Sequence, residues 1–269
     1  MNVVTTADSN YFHCVRVLAE NVRKHYGKDL IIYDVGFTGP QRDELASKAT
    51  VLRIAIDPSV DPKGRAWLSP NGHPSTRATH KPFCVRHYFQ NHHQPMILVD
   101  ADCLFNRRVQ EEGFDVGVTY NPPKRSKKMH YYNGVINSGV IFFNTPAREL
   151  VNLWIQECYK PDTTDQKALS DILSETVDWK NYKKAQYWRD LRIKIFECRK
   201  YNDYHLRRNS AIIHFINSKH RKDIYEKLLV GYEQGRNIRE MFRQIKRGRK
   251  PRRRRLWEGL SRFFTRRRP

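Results

Sequence analysis

The strongest constraint on the fold is the alternation of short apolar runs with amphipathic stretches over the first hundred residues. Residues 2–7 suit a strand, and residues 11–25 then place Val15, Leu18, Ala19 and Val22 at helical spacing. Residues 30–35 and 51–56 are further strands, and between them residues 40–49 predict a helix opened by Pro40. A helix over 82–90 leads into the run Met96-Ile97-Leu98-Val99. Parallel strands need a long crossover between them, which a helix supplies, so this order predicts an α/β fold with a mostly parallel sheet flanked by helices. A length of 269 residues fits either one large domain of this kind or two small ones. Strands at 114–120 and 135–143 flank a basic segment, 121–130, expected to be a mobile loop. Thr145-Pro146 predicts the start of a helix reaching residue 159, and Thr164 caps another reaching Leu173. Strands at 192–198 and 211–216 and a helix at 219–229 close the body. The stretch 57–78, dense in Pro, Gly, Ser and Asn, has the length of a functional loop.

The net charge of +22 is unevenly placed. Residues 236–269 hold fifteen Lys and Arg against Glu240 and Glu258, a net +13, which leaves +9 for residues 1–235. This predicts a body over 1–235 and a basic tail over 236–269. Within the tail Ile238, Met241, Phe242 and Ile245 fall on one helix face, and Leu256, Trp257, Leu260, Phe263 and Phe264 form a second. An aromatic face opposite arginine suits a helix lying on an anionic membrane, with Phe242, Trp257, Phe263 and Phe264 in the headgroup region. Nucleic acid also binds arginine runs, but phosphates need no apolar face, so the membrane is the favoured partner. No run approaches the roughly 18 apolar residues of a membrane span, and the opening residues show no basic-then-apolar leader. The expected location is cytoplasmic, peripheral on the inner face of the cell membrane. The five cysteines are odd in number and form no CxxC pair, which predicts reduced, mostly buried thiols.

The sharpest chemical feature is Asp100-Ala101-Asp102, directly after an apolar strand. Alternation along an extended chain turns both carboxylates to one side, at the strand end where open α/β sheets bind ligands. Two solvated turn carboxylates would look the same. As a pair they call for a cation, Mg²⁺ or Mn²⁺, and an added imidazole tilts the choice to Mn²⁺. His214, inside the apolar run Ala211-Ile212-Ile213-His214-Phe215-Ile216, offers that imidazole or is a core histidine bonded to backbone. Lys81, just before a helix, and Arg77 are candidate contacts for an anionic donor, Arg77 being equally well a solvated loop charge. The adjacent His92 and His93 diverge on an extended segment and make no metal pair. The absence of a Gly-x-Ser-x-Gly elbow, a Walker loop and paired zinc motifs leaves hydrolase and NTPase readings without residues.

Five ordered segments between residues 2 and 220 resemble the GT-A fold nucleotide-sugar glycosyltransferases of the glycogenin and bacterial lipopolysaccharide galactosyltransferase type. They are Val3-Val4-Thr5-Thr6-Ala7-Asp8-Ser9-Asn10-Tyr11, Asp100-Ala101-Asp102, Asn137-Ser138-Gly139-Val140, Asp165-Gln166 and His214 with Lys219. The family has Ala at the position of Ser138 and a longer His-to-Lys spacing with a Gly where Asn217 stands. The resemblance implies that Ala7, Asp8, Asn10 and Tyr11 form the base-binding turn, Asp8 bonding uracil and Tyr11 stacking on it. It implies that Asp100, Asp102 and His214 hold Mn²⁺ or Mg²⁺, that Asp100 and Ala101 also bind the donor, and that Lys219 completes the diphosphate site. Asn137 and Ser138 would face the donor sugar, and Asp165 and Gln166 would border it at the catalytic centre. The implied activity is a hexosyltransferase moving sugar from a nucleotide-sugar donor, a UDP-sugar, to a glycan or glycolipid acceptor with retention of configuration. The competing class is a non-enzymatic polyanion-binding protein, for RNA or membrane, with a degenerate transferase body.

Overall fold

The computed structural model describes residues 1–56, 77–120, 134–160, 163–181, 184–205, 207, 209–215 and 222–248. Its first half alternates as the sequence predicts: β1 (Asn2–Ala7), α1 (Phe12–Tyr26), β2 (Ile31–Asp34), α2 (Gly39–Ala46), β3 (Thr50–Leu52), α3 (Lys81–Asn91) and β4 (Met96–Asp100). There follow β5 (Cys103–Phe105), β6 (Val116–Tyr120), β7 (Ile136–Phe143), α4 (Arg148–Cys158), α5 (Asp165–Leu173), β8 (Gln186–Trp188) and β9 (Leu191–Glu197). The remaining elements are α6 (Cys198–Tyr201), β10 (Ile212–His214), α7 (Lys222–Glu233) and α8 (Ile238–Gly248).

Eight strands form one sheet in the order β3-β2-β1-β4-β7-β6-β9-β8. Six run the same way; β7 is antiparallel to β4 and β6, and β8 to β9. The reversal of β7 matters for the site. Val99 pairs with Val140, so Asn137 and Ser138 at the start of β7 lie beside Asp100 at the end of β4. A separate antiparallel ribbon joins β5 to β10, with His214 opposite Cys103.

Alternation along the strands feeds two apolar layers. Val3, Ile32, Ile97, Val99, Val140 and Phe142 pack with α1, β5, β10, α7 and α8. Val4, Tyr33, Leu98, Val118, Ile141 and Phe143 pack with α3, α4 and α5. Four cysteines are buried, Cys198 is half-buried, and all five are free.

Several boundaries differ from the sequence reading. β3 ends at Leu52 because β2 offers its last ladder partner at Tyr33, and β10 matches the three residues of β5. Helix α4 starts at Arg148 after a left-handed Ala147 (φ 43°), with no cap from Thr145. The turn before it is held by tertiary bonds: the Asn144 amide donates to the carbonyls of Glu111 and Phe114, and the Asn144 N–H to Asp115 O. Thr164 does cap α5, accepting from the Lys167 N–H at 3.0 Å. The loop at 121–130 and nearly all of 57–78 lie outside the described residues.

The first apolar stripe of the tail packs on the body and is not a membrane face. Ile238, Met241 and Phe242 of α8 are buried in the α1 and α7 layer, and the Phe242 ring lies 4.5 Å from that of Phe215. Phe242 is therefore a core residue and no membrane contact. Helical periodicity reports that one face is apolar but not which surface covers it, and here the body does. The packed body extends past residue 235 into α8. Ile245 lacks a described side chain, and residues 249–269, with Trp257, Phe263 and Phe264, lie outside the described residues.

Candidate active site at the carboxyl end of β4

Asp100 ends β4 and Asp102 follows in a turn, while β10 carries His214 across from Cys103. The Phe215 N–H donates to Asp102 O at 2.9 Å and the His214 N–H to Asp203 O at 3.0 Å, which locks the ribbon beside the Asp-Ala-Asp turn. His214 Nε2 lies 3.1 Å from Asp102 Oδ1 and 3.6 Å from Asp100 Oδ2. One ligand atom from each of Asp100, Asp102 and His214 falls within a 4.8 Å span. His214 is thus no ordinary core histidine. Two hard carboxylate oxygens and one imidazole nitrogen fit a divalent ion of the Mn²⁺ or Mg²⁺ class.

The electrostatics agree with that fit. Lys81, at the start of α3 and 4% exposed, places its ammonium 2.7 Å from Asp100 Oδ1 and 3.2 Å from Asp165 Oδ2. It also donates to Ser138 O and Oγ, each at 3.2 Å. Burial disfavours its charge, but Asp100 and Asp165 outweigh that and hold Lys81 well above the usual lysine range. Asp100, Asp102 and Asp165 against one ammonium leave two negative charges when the imidazole is neutral, the balance a divalent cation would meet. Burial likewise opposes protonation of His214, yet Asp102 and Asp100 raise it above the ordinary histidine value.

The start of β7 and the N-terminus of α5 close the other wall. Ser138 Oγ donates to Asp165 Oδ2 at 2.6 Å, and the Ser138 N–H donates to Gln166 Oε1 at 3.2 Å. Trp154 anchors this corner from the core, its indole N–H donating to Asp165 O at 2.7 Å. Asn137 Oδ1 accepts from the Gly139 N–H at 2.8 Å, and its amide donates to the Tyr204 hydroxyl. Gly139 is required by close approach: a Cβ there would meet His214 Cε1 at 2.5 Å and Asn137 Oδ1 at 2.8 Å.

At the end of β1, Ala7 is buried and Asp8 caps a short 3₁₀ turn, accepting from the N–H of an exposed Asn10 at 2.9 Å. Burial, with Asp102 and Asp100 adding to it, pushes the Tyr11 phenol up. Ala101 is buried within the Asp-Ala-Asp turn. Lys219 and the side chain of Arg77 lie outside the described residues. Sequence reasoning missed Thr119, Asn202 and Tyr204. Asn202 is fully buried and bonds Thr119, Asn137 and His214 (Nδ1 at 2.7 Å), and the Tyr204 ring lies 5.6 Å from the imidazole. Nothing in the local sequence marks them: Thr119 reaches the site from β6, and Asn202 and Tyr204 reach it from the segment between β9 and β10.

No family model matches the chain, and no curated protein sequence matches it. Solved structures do. The galactosyltransferase LgtC in complex with donor and acceptor sugar analogues aligns over 86% of this chain and 96% of its own at 15% identity, with a TM-score of 0.56. An active-site mutant of LgtC aligns over the same shares at 15% identity and a TM-score of 0.53. Mouse xyloside xylosyltransferase 1 covers 81% of this chain at 12% identity and a TM-score of 0.46. The protein is an α/β chain with a mostly parallel mixed sheet and an acidic, imidazole-bearing cluster at a central strand end. Its fold is that of the GT-A glycosyltransferases, as seen in LgtC.

Proposed function

We propose that the protein is a metal-dependent glycosyltransferase that takes a sugar from a nucleotide-sugar donor, a UDP-sugar, and transfers it with retention to a glycan or glycolipid acceptor. The observation that carries this reading is the Asp100, Asp102 and His214 cluster set at the end of β4 in a fold shared with LgtC. A divalent ion held there would neutralise the charge that develops on a departing diphosphate. The chain's own residues then have distinct tasks. Asn137 and Gln166 offer hydrogen bonds at the wall beside the cluster. Lys81 and Ser138 clamp Asp165 in one orientation, so this carboxylate is an ion-paired, positioned group. Front-side displacement needs positioning and no protein base, which supports retention. Asp8 and Tyr11, just after β1, would bind the base.

Calorimetric titration of UDP with Mn²⁺ tests the reading: the wild type binds, and Asp102→Ala abolishes binding. Absence of binding by the wild type, or unchanged binding by the variant, removes it. Donor hydrolysis without acceptor separates an enzyme from the competing polyanion-binding protein. An inverted anomeric coupling in the product would reject retention.

The basic segment 249–269 supports a peripheral place on an anionic membrane, at the inner face of the cell, where a lipid-linked acceptor would be presented. Arg252-Arg253-Arg254-Arg255 beside Leu256, Trp257, Leu260, Phe263 and Phe264 combines charge with an apolar face. Among the described residues no helix is long and apolar enough to cross a membrane. Truncation after Gly248 is expected to abolish sedimentation with anionic liposomes and leave UDP binding intact. Full-length protein that ignores such liposomes but binds RNA at physiological salt would overturn the membrane reading.

A further inference from the structure

We propose that Asn202 is a positioning residue that fixes the tautomer of His214, leaving the lone pair of its neutral imidazole on Nε2, toward Asp100 and Asp102. The inference deepens the metal-dependent reading above and rests on it for its consequence, but its geometry stands alone. It follows from hydrogen-bond polarity read outward from one backbone group. The Gly139 N–H donates to Asn137 at 2.8 Å, so the Asn137 atom facing it is the side-chain oxygen. That oxygen receives a second bond from Asn202 Nδ2, also at 2.8 Å. The same amide nitrogen donates to Thr119 Oγ1 at 3.0 Å, and the Thr119 hydroxyl gives its own hydrogen to Asn137 O at 2.8 Å.

Both amide hydrogens of Asn202 are thereby engaged, and its oxygen is the atom 2.7 Å from His214 Nδ1. An amide oxygen only accepts, so Nδ1 carries the hydrogen. Flipping Asn202 would set its oxygen against Asn137 Oδ1, and flipping Asn137 would set an NH₂ against the Gly139 N–H, so the chain has one self-consistent polarity. Asn202 is fully buried, so a mispaired amide there would carry the full desolvation cost.

The partner of a metal-ligating histidine is most often a carboxylate, a backbone carbonyl or water. A side-chain amide performs the same orientation without adding a negative charge to a site that already holds three carboxylates and one ammonium. It also joins the imidazole to Asn137, so His214 and the first residues of β7 share one hydrogen-bonded frame.

The test uses the full chain with Asn202→Asp, which keeps an acceptor toward Nδ1 but loses the donors to Asn137 and Thr119, and Asn202→Leu, which removes all three bonds. Nitrogen-15 NMR of metal-free wild type at alkaline pH, with the imidazole neutral, is expected to show His214 protonated on Nδ1, Asn202 prevailing over Asp102 Oδ1 at 3.1 Å from Nε2. Calorimetry with Mn²⁺ in the presence of UDP is expected to show a smaller loss of affinity for Asn202→Asp than for Asn202→Leu. Asn202→Leu is expected to lose about 10–100-fold, the range typical when the outer partner of a ligand is removed. A wild-type imidazole protonated on Nε2 overturns the inference, as does wild-type affinity in Asn202→Leu. If Asn202→Leu does not fold, the wild-type spectrum decides it. Wild type that shows the expected tautomer yet binds no Mn²⁺ leaves the tautomer assignment standing and defeats the metal-dependent reading instead.

Discussion

Lys81 is the residue whose removal bears most directly on how the site is held together. Its ammonium lies between Asp100 and Asp165 with 5% of the side chain exposed, and the Asp165 side chain is equally buried while that of Asp100 is 30% exposed. In Lys81→Met the stem volume is kept and the charge is lost. Breaking a buried pair from one side costs about 3–5 kcal/mol, because the partner stays charged and desolvated. Asp100 can turn toward water, so most of this loss falls on Asp165. With a urea m-value of about 3 kcal/mol/M, the midpoint falls by about 1–2 M. The double variant Lys81→Met with Asp165→Asn removes the stranded charge, so it is expected to recover much of the loss, with a coupling of about 2 kcal/mol. The sign with pH is also fixed. A lysine held above its usual range stabilises the fold fully below its unfolded value and loses that contribution only as pH rises through the folded value, so the effect is constant across neutrality. Urea denaturation of the four species, followed by tryptophan fluorescence, closes the cycle. A Lys81→Met midpoint within about 0.3 M of wild type, or a coupling under about 0.5 kcal/mol, would refute the argument.

Gly139→Ala forces a methyl group onto His214 and Asn137, which are both pinned; a loss of about 1–3 kcal/mol in denaturation is expected, along with weaker Mn²⁺ binding, and an unperturbed variant would contradict the packing described. For His214, burial works against protonation but Asp102 and Asp100 raise it, so in metal-free protein its stabilisation is full at acid pH and lost as pH rises through the raised value. Mn²⁺ must displace that proton, so affinity is expected to rise with pH across this window; titrations in buffers of different ionisation enthalpy that detect no proton release would count against it. Phe242→Ala is expected to cost about 3 kcal/mol of stability without changing liposome sedimentation, and the opposite pattern would return Phe242 to the membrane.

Much of the fold was legible because it is locally encoded. The strand and helix periods of the first hundred residues, the Thr164 cap and the end of β4 at Asp100 depend on neighbours a few positions away. The reversal of β7, the short ribbon of β5 with β10 and the seating of α8 on α7 were not. Each is decided by which surface remains to be covered once the other elements are placed. A stripe of Ile238, Met241 and Phe242 has the same period whether it meets a bilayer or Phe215.

The candidate site divides along the same line. By itself the sequence determined that two carboxylates share one side of a strand end and that an imidazole sits in a late apolar run, since residue type and alternation are local properties. Tertiary structure alone decided that His214 faces those carboxylates, that Lys81 is locked between Asp100 and Asp165, and that Asn202 and Tyr204 stand behind the imidazole and Asn137. These contacts join residues far apart in the chain, and their directions are set by burial. Where no water reaches, every donor must find an acceptor, and that requirement can be read only when the whole set of neighbours is in place.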